Sequence, residues 1–134
     1  MLDFTKNGAL LERLIDVYEK HNALIIAYDI DDTVRPFRDS ETSCKKVREL
    51  IKEINSLINV DFIVFTANAN VEAVKEYLHK ENMPYTTINE NIGKFKSDKF
   101  NQKKIYCNIQ LDDKAGLAES YDALVKFVEY IKTK

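Results

Sequence analysis

The sequence predicts an α/β fold, a three-layer Rossmann-like arrangement around a mostly parallel central sheet. Two observations carry this expectation. Short apolar runs alternate with longer stretches of helical periodicity from one end of the 134-residue chain to the other. The leading run, ALIIAY at residues 23–28, is almost unbroken, which is how a strand buried on both faces of a parallel sheet reads.

The elements follow in order. Leu10, Leu11, Leu14, Ile15 and Tyr18 recur at helical spacing and predict an amphipathic helix over residues 9–20, ahead of the first strand at residues 23–28. After a loop holding Arg35, Pro36 and Arg38, the positions Val47, Leu50, Ile51, Ile54, Leu57 and Ile58 predict a second helix, with Asp39 or Ser40 as its cap. Residues 61–65 (DFIVF) predict the next strand, and Val71, Val74, Tyr77 and Leu78 a third helix that Pro84 is expected to end. Residues 85–88 predict a third strand, 91–100 a loop, 105–111 a fourth strand, and Leu117, Tyr121, Leu124, Val125, Val128 and Ile131 a closing helix.

Composition limits the function classes. A 45% hydrophobic content supports one core, and three glycines, two prolines and no low-complexity stretch offer no place to cut the chain, so residues 1–134 are expected to form a single domain with an extra N-terminal helix. No apolar run approaches the ~20 residues of a membrane span and no signal-peptide layout opens the chain, so a cytoplasmic protein is expected. A net charge of −2 gives no global attraction to nucleic acid, which enters only as a possible substrate. Cys44 and Cys107 lack metal-ligand spacing and read as reduced structural thiols; His21 and His79 read as isolated, exposed helix-end residues.

In open parallel sheets, ligands bind beyond the carboxyl ends of the strands. Those predicted ends are polar here: Asp29, Asp31, Asp32 and Thr33 after the first strand, Thr66 and Asn68 after the second, Asp112 and Asp113 after the last. Aspartates from two strand ends converging on one crevice would repel severely without a cation. All-oxygen ligation without a cysteine and histidine cluster favours Mg2+ over zinc.

The DIDDT stretch after an apolar strand resembles the D-x-D-x-T motif of haloacid dehalogenase-like phosphatases, FIVFT looks like the second motif of that family, and NIQLDD like its fourth. The segment LDDKAGL is similar to one in small bacterial and phage members. The resemblance runs from about residue 23 to the C-terminus. It implies a magnesium-dependent phosphomonoester hydrolase in which Asp29 attacks phosphorus to form an aspartyl-phosphate and Asp31 serves as general acid and base. It further implies that Thr66 binds the phosphoryl oxygens, and that the metal is held by Asp112, Asp113, the Asp29 carboxylate and the backbone carbonyl of Asp31. Thr33, Asn68 and Arg35 are expected to bind substrate, although Arg35 and Arg38 read equally well as solvated loop charges, and Thr66 as a residue satisfying backbone donors at a helix N-terminus.

The family's third motif is a lysine, and this region offers Lys94, Lys96, Lys99, Lys103 and Lys104. Lys104 would begin the last strand, roughly 20 Å from its carboxyl end at about 3.3 Å per residue. Lys94 and Lys96 follow the preceding strand's carboxyl end and are the better candidates.

Large inserts that form a cap in this family are missing: one loop and one helix fill residues 34–60, and one helix and one strand fill residues 67–91. A capless site would admit a phosphate on a macromolecule, whereas a covering partner subunit would suit it to small phosphates. Two alternatives remain at this point. A receiver-like domain phosphorylated on aspartate would carry that aspartate at the end of a middle strand, where this chain has Phe65 and Thr66. A catalytically idle binding protein on the same fold would not need both Asp29 and Asp31.

Overall fold

A computed structural model describes residues 3–38, 41–93 and 104–134. The element order is α1 (Ala9–His21), β1 (Leu24–Asp29), α2 (Glu41–Leu57), β2 (Val60–Phe65), α3 (Val71–Lys80), β3 (Thr87–Ile88), β4 (Ile109–Leu111) and α4 (Leu117–Lys132). The four strands form one sheet in the order β3-β2-β1-β4, every neighbouring pair parallel. This is the α/β, Rossmann-like arrangement that the alternation predicts. The expected cap at Asp39 or Ser40 lies outside the described residues.

The pleat of β1 divides the interior. Leu24, Ile26 and Tyr28, with Phe62 and Val64 of β2 and Ile109 and Leu111 of β4, face one side and meet Leu14, Ile51, Ile54, Leu78, Leu124 and Phe127 from α1, α2, α3 and α4. Burying a side chain of this size contributes about 1.5–3 kcal/mol, so this face supplies most of the hydrophobic driving force. Ile25, Ala27 and Ile63 face the other way and are covered by Ile92, Ile105 and Cys107; among the described residues no helix joins that smaller cluster. Tyr28 is fully buried without leaving its hydroxyl unsatisfied, because it donates to the Pro84 carbonyl at 2.8 Å.

Three elements are shorter than their sequence signals. In α3 the stop is local and precedes Pro84. Asn82 adopts φ 55°, and the N–H of Met83 returns to the Leu78 carbonyl at 2.8 Å, a left-handed turn that ends the helix at Lys80. β3 loses Tyr85, which is 38% exposed, although the Thr86 N–H already reaches the Phe62 carbonyl at 2.8 Å. β4 begins only at Ile109 because Asn108 uses its side chain as a substitute strand: Oδ1 accepts the Ile25 N–H at 2.7 Å while its own N–H donates to the Ile25 carbonyl at 2.7 Å. Upstream, the buried Asn91 ties the chain together, donating to the Lys104 carbonyl at 3.0 Å and accepting from the Tyr106 N–H at 2.7 Å. Residues 105–107 therefore leave the sheet and pack on its second face.

Cys44 and Cys107 are free thiols, and His21 and His79 are exposed. Among the described residues no helix is long and apolar enough to cross a membrane.

Candidate active site

The chain leaves β1 for β2 and β3 on one side and reaches β4 on the other, so the topological switch point lies between β1 and β4. That is where an open parallel sheet parts its loops and leaves a crevice. Tyr28 pairs with Leu111 in the ladder, so the next residues, Asp29 and Asp112, emerge side by side.

The loop after β1 is tightly wound. The Ile30 carbonyl accepts from the N–H groups of Thr33 at 3.3 Å, Val34 at 3.0 Å and Arg35 at 2.9 Å. Asp32 takes a left-handed φ of 62°, and its Oδ1 accepts the Phe37 N–H at 3.0 Å and the Arg38 N–H at 2.6 Å. The Val34 carbonyl is gripped from two helices, by Arg48 Nη1 of α2 at 2.6 Å and the Tyr77 hydroxyl of α3 at 3.1 Å. Arg48 is itself buried and ion-paired to Glu41, so the loop is anchored to a charge held in place.

Carboxylate oxygens of Asp29, Asp112 and Asp113 all lie within 4.8 Å of one another. Burial first, and the neighbouring Asp112 and then Asp113 after it, push the Asp29 carboxyl up to about 6, against a backbone hydrogen bond from Ile30 that works the other way. Asp112 is oriented by three bonds: Oδ1 accepts the Lys114 N–H at 2.9 Å, Oδ2 accepts Gln110 Nε2 at 3.3 Å, and its carbonyl accepts the Ala115 N–H at 3.0 Å. Three hard oxygen donors crowded this closely suit a divalent cation such as Mg2+ and give soft metals nothing they prefer.

The end of β2 forms the opposite wall through a relay of side chains. Thr66 Oγ1 accepts the Asn68 N–H at 3.1 Å, Asn68 Oδ1 accepts the Asn70 N–H at 2.9 Å, and Asn70 Oδ1 caps α3 by accepting the Ala73 N–H at 3.1 Å. Asn89, in a left-handed conformation at φ 54°, clamps Thr66 from β3, accepting its N–H at 3.0 Å and donating to its carbonyl at 2.8 Å. The Thr66 hydroxyl is used as an acceptor here, which leaves its proton to be donated into the cleft.

These walls enclose a cleft of about 630 Å³ lined by Asp29, Asp31, Thr66, Asn68, Asp112 and Asp113 together with Asp32, Phe37, Arg38, Ala67 and Lys114. Two expected substrate-binding residues have other neighbours. Thr33 is fully buried; its hydroxyl donates to Asp29 Oδ2 at 3.4 Å and accepts the Asp113 N–H at 3.1 Å, so it joins the two strand ends from beneath. Arg35 is bonded through Nε to Asp31 Oδ1 at 2.9 Å and lies over the Tyr77 ring at 5.5 Å; the arginine lining the cleft is Arg38. Asp31 thus faces the cleft with its carboxylate held by Arg35 rather than gathered with the other three. Lys94 and Lys96 lie outside the described residues.

Sequence reasoning missed Lys114, Phe37, Asn89 and the organising part of Asp32. An asparagine just beyond a strand and an aspartate inside a turn are the two residue types that tolerate a left-handed φ, and that was the available signal for Asn89 and Asp32. No protein family, curated protein or solved structure matches the chain.

Proposed function

We propose that this protein is a magnesium-dependent phosphomonoester hydrolase of the haloacid dehalogenase-like kind, with Asp29 as nucleophile. The observation that carries the reading is the convergence of Asp29, Asp112 and Asp113 at the switch point of a parallel sheet, within 4.8 Å of one another. The motif order, DIDDT then FIVFT then NIQLDD, adds to it.

Asp29, Asp112 and Asp113 would hold Mg2+, which when bound supplies charge neutralisation for the phosphoryl oxygens and for the crowded carboxylates. Asp29 attacks phosphorus in line, forming an aspartyl-phosphate as the ester oxygen departs. Thr66 donates its hydroxyl to a phosphoryl oxygen, and Asn89 keeps its backbone in place while it does so. Lys114 and Arg38, which line the cleft, balance the anionic substrate. Asp31 protonates the leaving oxygen and then takes a proton from the attacking water. To do so it must turn from Arg35, and its 47% exposed side chain has the room.

The pairing of Asp31 with Arg35 also favours a second reading, an idle binding protein on the same fold, in which that carboxylate never carries a proton. Phosphate release from a panel of phosphorylated small molecules, peptides and oligonucleotides, in Mg2+ or in EDTA, separates the two. Metal-dependent release supports the hydrolase; silence across the panel moves the weight to binding.

A further inference from the structure

The rim of the cleft holds an aromatic side chain that the carboxylate triad does not account for. Phe37 is 71% exposed and lines the cleft beside Arg38. Its backbone is held at the rim, because Asp32 Oδ1 accepts the N–H groups of both Phe37 and Arg38. The Arg38 guanidinium lies 5.8 Å from the Phe37 ring centroid. A ring kept in water forgoes the stabilisation that burial would bring. A ring carried on a held backbone, with a guanidinium over it and beside a proposed phosphoryl site, is a combination suited to stacking nucleobases, since every base offers a π face and arginine adds a cation.

We infer that Phe37 and Arg38 are specificity-determining residues that select nucleoside monophosphates, the base stacking against the ring and guanidinium while the phosphate reaches Asp29; this rests on the phosphohydrolase reading of the triad. The leaving group is then the nucleoside hydroxyl, and the rim pair performs the substrate selection that a cap would otherwise provide.

Adenosine 5′-monophosphate and ribose 5-phosphate share sugar and phosphate and differ in the base, so their kcat/KM ratio isolates the stacking contribution. The wild-type ratio is expected to be on the order of tenfold, within the range of base–aromatic stacking. It should collapse towards one in Phe37→Ala and persist in Phe37→Tyr, with thermal unfolding checking that each variant is folded. Equal kcat/KM for the two substrates in the wild type, a preference that survives Phe37→Ala, or a Phe37-dependent preference for phenyl phosphate over the nucleotide would each overturn the inference. Equilibrium dialysis of adenosine 5′-monophosphate with wild type and Phe37→Ala in Mg2+ separates this inference from the reading beneath it. Phe37-dependent binding with no phosphate release from the nucleotide or any other phosphoester of the panel would sink the hydrolase and leave the base platform standing, whereas release from other phosphoesters with no Phe37-dependent binding of the nucleotide would overturn the inference and leave the hydrolase.

Discussion

Thr33 and Asp113, 80 positions apart in the chain, are joined by a hydrogen bond from the Asp113 N–H to Thr33 Oγ1 at 3.1 Å. The same hydroxyl donates to Asp29 at 3.4 Å, so one fully buried side chain sets the spacing of two of the three clustered carboxylates. Thr33→Val keeps the shape and removes the acceptor. It is expected to cost about 1–2 kcal/mol, the penalty for an unpaired polar group in a partly buried setting, and to weaken Mg2+ binding. Urea unfolding with and without Mg2+ measures both, and an unchanged midpoint would show that the bond carries nothing.

Asp29 makes stability depend on pH in one direction. The folded protein holds a proton on Asp29 more tightly than the unfolded chain, because burial, Asp112 and Asp113 raise its carboxyl to about 6. That contribution is fully present below the unfolded value near 4 and is lost as pH rises through about 6, so without metal Asp29 counts against stability at neutral pH. A cation needs the ionised form. The Tm increase on adding Mg2+ is therefore expected to be larger at about pH 7.5 than at about pH 5; equal increases at both would argue against Asp29 as a ligand.

Asp112 is oriented by Gln110, by the Lys114 N–H and by the turn to Ala115. Asp112→Asn keeps the size and removes one of three charges. The Mg2+ concentration giving half-maximal activity is expected to rise by on the order of tenfold, before the saturated rate falls, since ligand charge tunes affinity for hard cations. An unchanged Mg2+ titration would mean that Asp113 and Asp29 suffice.

Asn89 combines a left-handed backbone with two bonds to Thr66, and two substitutions separate these contributions. Asn89→Gly keeps the backbone conformation and loses the clamp; Asn89→Ala loses both and is expected to be about 1 kcal/mol less stable than the glycine variant. Both should raise KM for a phosphomonoester, because Thr66 is no longer fixed. A glycine variant with wild-type KM would leave Asn89 a purely structural residue.

How much of this was legible in the sequence depends on the range of the interaction responsible. β1, α1, α2 and α4 follow from an unbroken apolar run and from helical periodicity, both local properties, and the structure places them within a residue or two of the expected bounds, whereas α3 stops at Lys80, short of Pro84. The start of β4 was overestimated because Asn108 and Asn91 replace strand pairing with side-chain hydrogen bonds that no periodicity reveals, and β3 starts later than its apolar signal because Tyr85 is exposed. In the site, Asp29, Asp112 and Asp113 were readable as a group, since each ends a strand and parallel register brings strand ends together. Thr33 and Arg35 were not, because whether a polar residue faces the cleft or lies beneath it is decided by how the loop winds around Ile30 and by what Tyr77 and Arg48 hold. Of the three substrate-binding expectations, Thr33 and Arg35 fell on residues whose polar groups pair within that loop and with the strand ends, while Asn68 lines the cleft.

The most direct test of the central claim compares wild type with Asp29→Asn for Mg2+-dependent phosphate release and for thermal unfolding. Turnover is expected to disappear while the Tm in the absence of metal stays level or rises, because the substitution removes a nucleophile and a repelled charge but no packing. Turnover retained in a folded Asp29→Asn protein would contradict it.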